Sequence, residues 1–297
     1  MGIKTNKMKR RDFLQSTGMA VSGIFLSSYL PACKSAAVSK DVKDNFGLQL
    51  YTLRDVLPKD PKAVLKQVAS FGYKQIESYD HDQLGIFWGM KNTEFKKLMD
   101  DLGMKIVSSH CDMNKDFERK AAEAAEIGMA YLLCPYLGAQ KKIDDFKKFA
   151  DTFNQKGEIC KKNGIRFGYH NHDYSFVPLE GQYPQDVMMQ NTDKNLVDYE
   201  MDIYWVVTAG QDPIAWIDKY PGRFKLSHIK DRKRGVAPSE REVSVVLGTG
   251  SIDFQKIIKE ARAKGMDYYF VEQEAYENTT PLAAAKADAE YLKNFKT

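Results

Sequence analysis

Asn163-Gly164-Ile165-Arg166-Phe167-Gly168-Tyr169-His170-Asn171-His172-Asp173-Tyr174-Ser175-Phe176 is the stretch whose reading decides the fold. A helix-like segment ends in Asn163-Gly164, an apolar run follows, and polar residues close it. Glycine just past a helix end takes the left-handed conformation that stops the helix. The run after it reads as a strand, in which alternate residues share a face. His170 and His172 then point one way and Asn171 the other. Two imidazoles on one face at a strand end can bind a metal or move protons. The plainer alternative is a polar turn after a buried strand.

The same joint recurs at Phe71-Gly72-Tyr73, Leu102-Gly103-Met104, Ile127-Gly128-Met129 and Lys264-Gly265-Met266, each ahead of a short apolar run. Such runs read as strands buried on both faces, as in a parallel sheet. Helix alternating with strand gives the α/β class. Further strands are expected at Phe46–Tyr51, Leu196–Asp202 and Phe224–Lys230. Helices are expected over Pro61–Phe71, Asp253–Ala263 and Pro281–Phe295, the first two with an apolar side. Eight strands in roughly 250 residues is the size of a (β/α)8 TIM barrel. A doubly wound open sheet is the alternative, but no GxGxxG follows the first strand. Gly248-Thr249-Gly250, before a late helix, is a weak phosphate-loop signal.

Composition bounds the function. The chain has 297 residues, 43% of them apolar and 28% charged, which suits a globular protein with a substantial core. Its formal charge is +4, and residues 1–32 carry all of it: Lys4, Lys7, Lys9, Arg10 and Arg11 against Asp12. Residues 33–297 are therefore about neutral, which gives no electrostatic case for nucleic acid. Cys33, Cys111, Cys134 and Cys160 show no CxxC spacing. Cys134 and Cys160 read as small buried thiols, and a disulfide framework is not expected.

Residues 1–32 read as an address. Arg10-Arg11-Asp12-Phe13-Leu14 precedes a mild apolar stretch from Gly18 to Leu30, as in a twin-arginine export signal. The stretch is short of the roughly 20 residues of a membrane span and is diluted by Ser and Gly. Leu30-Pro31-Ala32-Cys33 resembles a lipobox, with Pro31 in place of the usual small residue. Cys33 is thus a candidate for lipidation, residues 33–45 a polar tether, and 46–297 the catalytic domain. The expectation is an exported protein, periplasmic or lipid-anchored to the bacterial envelope.

In a TIM barrel the chemistry sits at the C-terminal ends of the strands. Those ends carry Gln49 and Arg54, Glu77, His110 and Asp112, His170 and His172, Glu200 and Asp202, His228 and Lys230, and Glu272 and Glu274. Four of the five histidines fall there, and the fifth, His81, follows strand two. Asp202, His228 and Glu272 would converge in the barrel mouth. That donor set suits Mn²⁺, Co²⁺, Zn²⁺ or Mg²⁺, with a fourth ligand from strand five. A salt-bridged layer without metal is the alternative.

The body resembles the xylose isomerase-like barrels, the sugar isomerase/epimerase superfamily that also holds endonuclease IV and inositol-ketone dehydratases. The matching pieces are GLQLYTLRD on strand one, YHNHD on strand five, DIYW on strand six, LSHIKD on strand seven and FVEQE on strand eight. The resemblance implies one divalent metal held by Asp202, His228, Glu272 and a strand-five histidine, His170 or His172. Two departures stand out. The strand-five glutamate, often half of an acid/base pair, is replaced by that histidine. The histidine that commonly follows the strand-six aspartate gives way to Tyr204-Trp205. The basic groove of the endonucleases is not apparent.

A metal in such a mouth can hold a carbonyl and its neighbouring hydroxyl while a proton leaves the α-carbon. Candidates for the proton-transfer groups are Glu272, His172 and, off the metal, His110. Lys230 is a candidate for bonding a substrate oxygen or for pairing with Glu77 or Glu272. Gln49, Arg54, Glu77 and Trp205 are candidate substrate contacts, and Phe87 and Trp88 are further wall candidates. The expected function is a metal-dependent isomerase or epimerase of a neutral sugar or keto-sugar. A keto-glycoside lyase, hydrolase or dehydratase is the alternative, and a non-catalytic sugar-binding lipoprotein a third reading.

Overall fold

The computed structural model describes residues 1–2 and 46–295. The export motif, Cys33 and the tether lie outside the described residues.

Eight parallel strands form a closed barrel. In chain order they are β1 Gly47–Gln49, β2 Gln75–Tyr79, β3 Lys105–His110, β4 Tyr131–Cys134, β5 Arg166–His170, β6 Val197–Asp202, β7 Phe224–Ile229 and β8 Tyr268–Val271. Gly47 pairs with Gln75 on one side and Phe270 on the other, which closes the ring. The helices α1 Pro61–Phe71, α2 Asn92–Asp101, α3 Phe117–Glu126, α4 Ile143–Lys162, α5 Pro184–Asn191, α6 Ile203–Thr208, α7 Pro213–Lys219, α8 Phe254–Ala263 and α9 Pro281–Lys293 cover the outside. All five helix–glycine–strand joints hold. Gly72, for example, has φ 104°, in the left-handed region that only glycine adopts freely. No helix among the described residues is long and apolar enough to cross a membrane.

Several expected bounds shift by a residue or two. β1 stops at Gln49, because the Gln49 side chain accepts from the Tyr51 N–H and starts a 3-10 turn over Leu50–Leu53. β7 stops at Ile229, and α9 ends at Lys293. The connection after β7 also holds a small antiparallel ladder that the sequence did not suggest, Asp231–Arg232 against Ser244–Val245.

Two cores result. The larger packs the helices on the outer strand faces, as Val64, Leu65 and Val68 of α1 do. The smaller joins Leu133, Leu226 and Phe270 with Val107 and Tyr131. Leu226 and Phe270 precede His228 and Glu272 by two residues along the same segments, so this cluster lies on the side of the polar residues away from the strands' C-terminal ends. Gly47 makes room for it, since a Cβ there would lie 2.3 Å from the Phe270 ring.

The strand register slips by one residue at Ile76/Glu77 between β2 and β3, and at Tyr199/Glu200 between β6 and β7. Irregularities of this kind re-aim side chains next to active sites. Here both slips fall on buried glutamates of the barrel interior.

Candidate metal centre and cavity

His170 ends β5, Asp202 ends β6, His228 lies on β7 and Glu272 follows β8. One donor atom from each lies within 4.8 Å of the others, and all four residues are buried. His228 Nδ1 is 3.1 Å from His170 Nε2, 3.3 Å from Glu272 Oε2 and 3.8 Å from Asp202 Oδ2. His170 Nε2 lies 3.5 Å from the same Asp202 oxygen. That oxygen is buried without a hydrogen-bond partner, as expected of an atom aimed at a cation.

The outer ring nitrogens are fixed in a way that frees the inner ones. His170 Nδ1 donates to the Pro135 carbonyl at 3.1 Å, and His228 Nε2 donates to Glu77 Oε1 at 2.7 Å. Carbonyl and carboxylate partners of this kind set the tautomer of metal-ligating histidines. Two nitrogens and two carboxylates suit Zn²⁺, Mn²⁺ or Co²⁺. The residues present therefore fit a divalent ion.

A second group shares His228 and lies deeper: Glu77, His110, Glu200 and His228. Glu77 accepts from Gln49 Nε2 at 2.7 Å and from the Ser108 hydroxyl at 2.6 Å, besides His228. Burial alone would raise its pKa, but the His110 and His228 rings and Ser108 outweigh burial and hold it down at about 2. Burial and the neighbouring Glu77 push Glu200 well above the usual carboxylate range. His110 Nε2 stands 2.9 Å from Glu200 Oε2. Burial drives the His110 pKa down to about 3 despite the pull of Glu77, so the ring is neutral. Burial would lower His228 too, but Glu200, Glu272 and Asp202 override it and raise its pKa well above the ordinary value. Glu77, Asp202 and Glu272 keep their charge there despite burial, and a divalent cation offsets buried carboxylates of this kind.

Above the quartet opens a cavity of about 810 Å³, lined in part by His110, His170, His172, Trp205, Glu272 and Glu274. His172 lies outside the quartet although it shares the inward face with His170. Its ring stacks on Tyr174 and Trp205 at 5.7 and 5.3 Å and meets Tyr136 edge-on at 4.9 Å. Burial and the adjacent His170 lower its pKa well below the usual value, so it too is neutral.

Several residues proposed as substrate contacts occupy other places. Gln49 and Glu77 are fully buried beneath the cavity and bonded to each other. Arg54 donates to the Glu274 carbonyl at 2.8 Å and lies over the Tyr51 ring, bracing the rim. Lys230 is buried over the Tyr204 and Trp205 rings, 2.8 Å from Glu274 and 3.3 Å from Glu272. Burial opposes its charge, but Glu272, Glu274 and Asp202 keep it protonated. The same lysine, with His228, holds Glu272 well below the carboxylate range against burial. Trp205 does line the cavity. Phe87 and Trp88 do not: Phe87 packs on Phe95, and Trp88 Nε1 donates to Ser78.

The phosphate-loop signal has another occupant. Gly248 and Gly250 N–H groups both donate to Asp231 Oδ2, at 3.0 and 2.9 Å, so the protein's own carboxylate fills that nest. Sequence reasoning placed Glu200 at a strand end but gave it no role. Its spacing of two from Asp202 was the available signal. Nothing in the sequence marked Tyr51 or Tyr136, which also line the cavity.

Comparison with known proteins agrees with this architecture. The family profile described as xylose isomerase-like TIM barrel matches residues 65–295. An inosose dehydratase of Clostridium beijerinckii is 30% identical over 128 residues, covering 39% of this chain and 42% of that protein. The match thus spans about two-fifths of that relative's length. An inosose dehydratase of Geobacillus kaustophilus is 24% identical over 240 residues, covering 73% of this chain and 76% of its own. A solved structure described as a sugar phosphate isomerase/epimerase from Parabacteroides distasonis superposes with a TM-score of 0.73. It is 31% identical and covers 88% of this chain and 96% of its own. The closed eight-stranded barrel and the extent of the family match carry one conclusion: the chain belongs to the xylose isomerase-like TIM barrel family.

Proposed function

We propose that the protein is a metal-dependent lyase of the dehydratase type, acting on a neutral polyhydroxylated ring that carries a ketone. The observation that carries this reading is the state of Glu272. It is the one glutamate of the quartet, and Lys230 at 3.3 Å locks its charge. A pair of free glutamates, one on each face of a substrate, is therefore not at hand for epimerisation. The curated relatives named inosose dehydratase support the same choice.

His170, Asp202, His228 and Glu272 would hold the ion. When bound, a divalent ion supplies Lewis-acid polarisation of a carbonyl and its neighbouring hydroxyl. His110 lines the cavity as a neutral imidazole and is placed to take the proton α to the carbonyl. Glu77, 3.2 Å from the same ring and held ionised, compensates the charge the ring acquires. The C–O bond on the β-carbon breaks, and the departing hydroxide leaves as water with a proton from the imidazolium. Proton and hydroxide balance as one water, and no redox partner is needed. Trp205, which lines the cavity, supplies an aromatic wall for the ring's C–H face.

The charge of the cavity favours a neutral substrate. Asp80, Asp82, Asp112, Glu242, Glu272 and Glu274 line it against only Lys115 and Arg241. Such a lining repels phosphate esters.

The test uses purified, Mn²⁺-loaded protein and a panel of keto-polyols in D₂O. Elimination gives a conjugated enone absorbing in the ultraviolet, with loss of the β-hydroxyl by NMR. Solvent deuterium at the α-carbon of an otherwise intact skeleton would instead establish an isomerase or epimerase. The likeness to the Parabacteroides protein favours that second reading. Binding of sugar with neither change would leave a binding protein.

We infer export as well, from the order of Arg10-Arg11, the apolar run and Leu30-Pro31-Ala32-Cys33.

A further inference from the structure

Among the described residues, two aromatic side chains are exposed, Tyr51 at 40% and Tyr136 at 60%. A single exposed aromatic needs no explanation. Here both line the same cavity, the one above the metal centre. Tyr51 follows β1 and Tyr136 follows β4, three strands apart in a ring of eight, so they border the one cavity from two sides.

Both rings are held rather than loose. Tyr51 packs edge-on against Tyr79 at 5.2 Å, with the Arg54 guanidinium 4.8 Å from its centre. Tyr136 packs edge-on against His172 at 4.9 Å and Tyr174 at 5.6 Å. Each therefore keeps a fixed open surface at little conformational cost on binding. Exposed, pre-set aromatic faces suit the C–H faces of sugar rings and flat aglycones, and the phenol keeps one edge wet. The room fits too. At about 810 Å³ the cavity lies toward the upper end of the roughly 300–1,000 Å³ of drug-sized ligand pockets, more than one polyol ring needs.

We propose that Tyr51 and Tyr136 form a second ring-binding subsite at the cavity rim, so that the substrate is a glycoside: a polyol ring at the metal centre bearing a second ring toward the lips. This rests on the reading of the cavity as a site for neutral polyols. The acidic lining extends to the rim through Asp80, Asp82 and Asp112, which favours an uncharged second ring over an anionic one.

Calorimetric titration of the full-length, Mn²⁺-loaded protein tests it. The probes are para-nitrophenyl β-D-glucoside and cellobiose against D-glucose and myo-inositol. The glycosides should bind about three- to tenfold tighter than the single rings. Tyr51→Ala and Tyr136→Ala should each remove most of that gain and leave glucose and inositol within about twofold. Tyr136→Trp, which restores a ring, should keep it. Single rings that bind as tightly as the glycosides, or alanine variants that weaken all probes alike, overturn the subsite alone. If no probe binds, the polyol reading of the cavity falls and takes the subsite with it.

Discussion

His228 donates its Nε2 hydrogen to Glu77 Oε1 at 2.7 Å, and so turns Nδ1 toward His170, Asp202 and Glu272. Glu77 thus aims His228 at the other three members of the quartet. Glu77→Gln keeps the shape and removes the charge. It should weaken divalent-metal binding by about 10-fold, the low end of the roughly 10–100-fold cost of losing a partner behind a ligand. Competition titration against a fluorescent chelator measures this, and unchanged affinity would show that Glu77 does not orient His228.

The two strand-five histidines should separate cleanly. His170→Ala, Asp202→Ala, His228→Ala and Glu272→Ala should each abolish tight binding. His172→Ala should retain the ion, because its ring is taken up by Tyr174 and Trp205. Metal content after dialysis, by mass spectrometry, decides. A His172→Ala protein without metal would redraw the ligand set.

His110→Ala should keep the metal and lose about 10²- to 10⁴-fold in turnover, the usual range for a proton-transfer group. Loss of the ion in this variant would make the deeper group, with Glu77 and Glu200, part of the metal site.

Away from the mouth, buried Asp288 on α9 makes one hydrogen bond, from the Leu247 N–H, and its Oδ2 has no partner. Burial, with Asp231 nearby, lifts its pKa from 3.8 to about 7. Between those values the folded state keeps a proton that the unfolded state has lost. Asp288 therefore supports stability below pH 3.8 relative to higher pH, and that support is lost as pH rises through about 7. Asp288→Asn should raise the melting temperature by a few degrees more at pH 8 than at pH 5. An equal change at both pH values would count against this.

The twin-arginine reading of residues 1–33 has its own test. Changing Arg10 and Arg11 to Lys should strand the precursor in the cytoplasm, and the mature protein should begin at lipidated Cys33. Normal export of the double variant would refute the first expectation, and an intact mass starting at another residue the second.

The barrel was legible because its signals are local. At five helix ends a glycine takes positive φ, as Gly72, Gly103, Gly128, Gly164 and Gly265 all do. The strand ends were legible too, and they collected His170, Glu200, Asp202 and His228. Depth was not legible. Gln49 and Glu77 share a face with the cavity yet lie beneath it, because depth follows from register, and register slips at Glu77 and Glu200. Nor could alternation separate His170 from His172. What separates them is that β5 ends at His170, while His172 meets the rings of Tyr174 and Trp205. The partners of Lys230 depended on where Glu274 fell beyond β8, which no local pattern gives.

The apolar floor of Leu133, Leu226 and Phe270 imposes an order of assembly. These side chains are fully buried, and Leu226 and Phe270 stand two residues before His228 and Glu272, on the side away from the mouth. An ion reaching His170, Asp202, His228 and Glu272 therefore comes and goes through the mouth, the path the substrate also takes. On the proposed reading, loading would have to precede substrate entry, and a seated polyol would trap the ion beneath it. A chelator should strip the protein more slowly as polyol concentration rises, and stop doing so when the mouth is saturated.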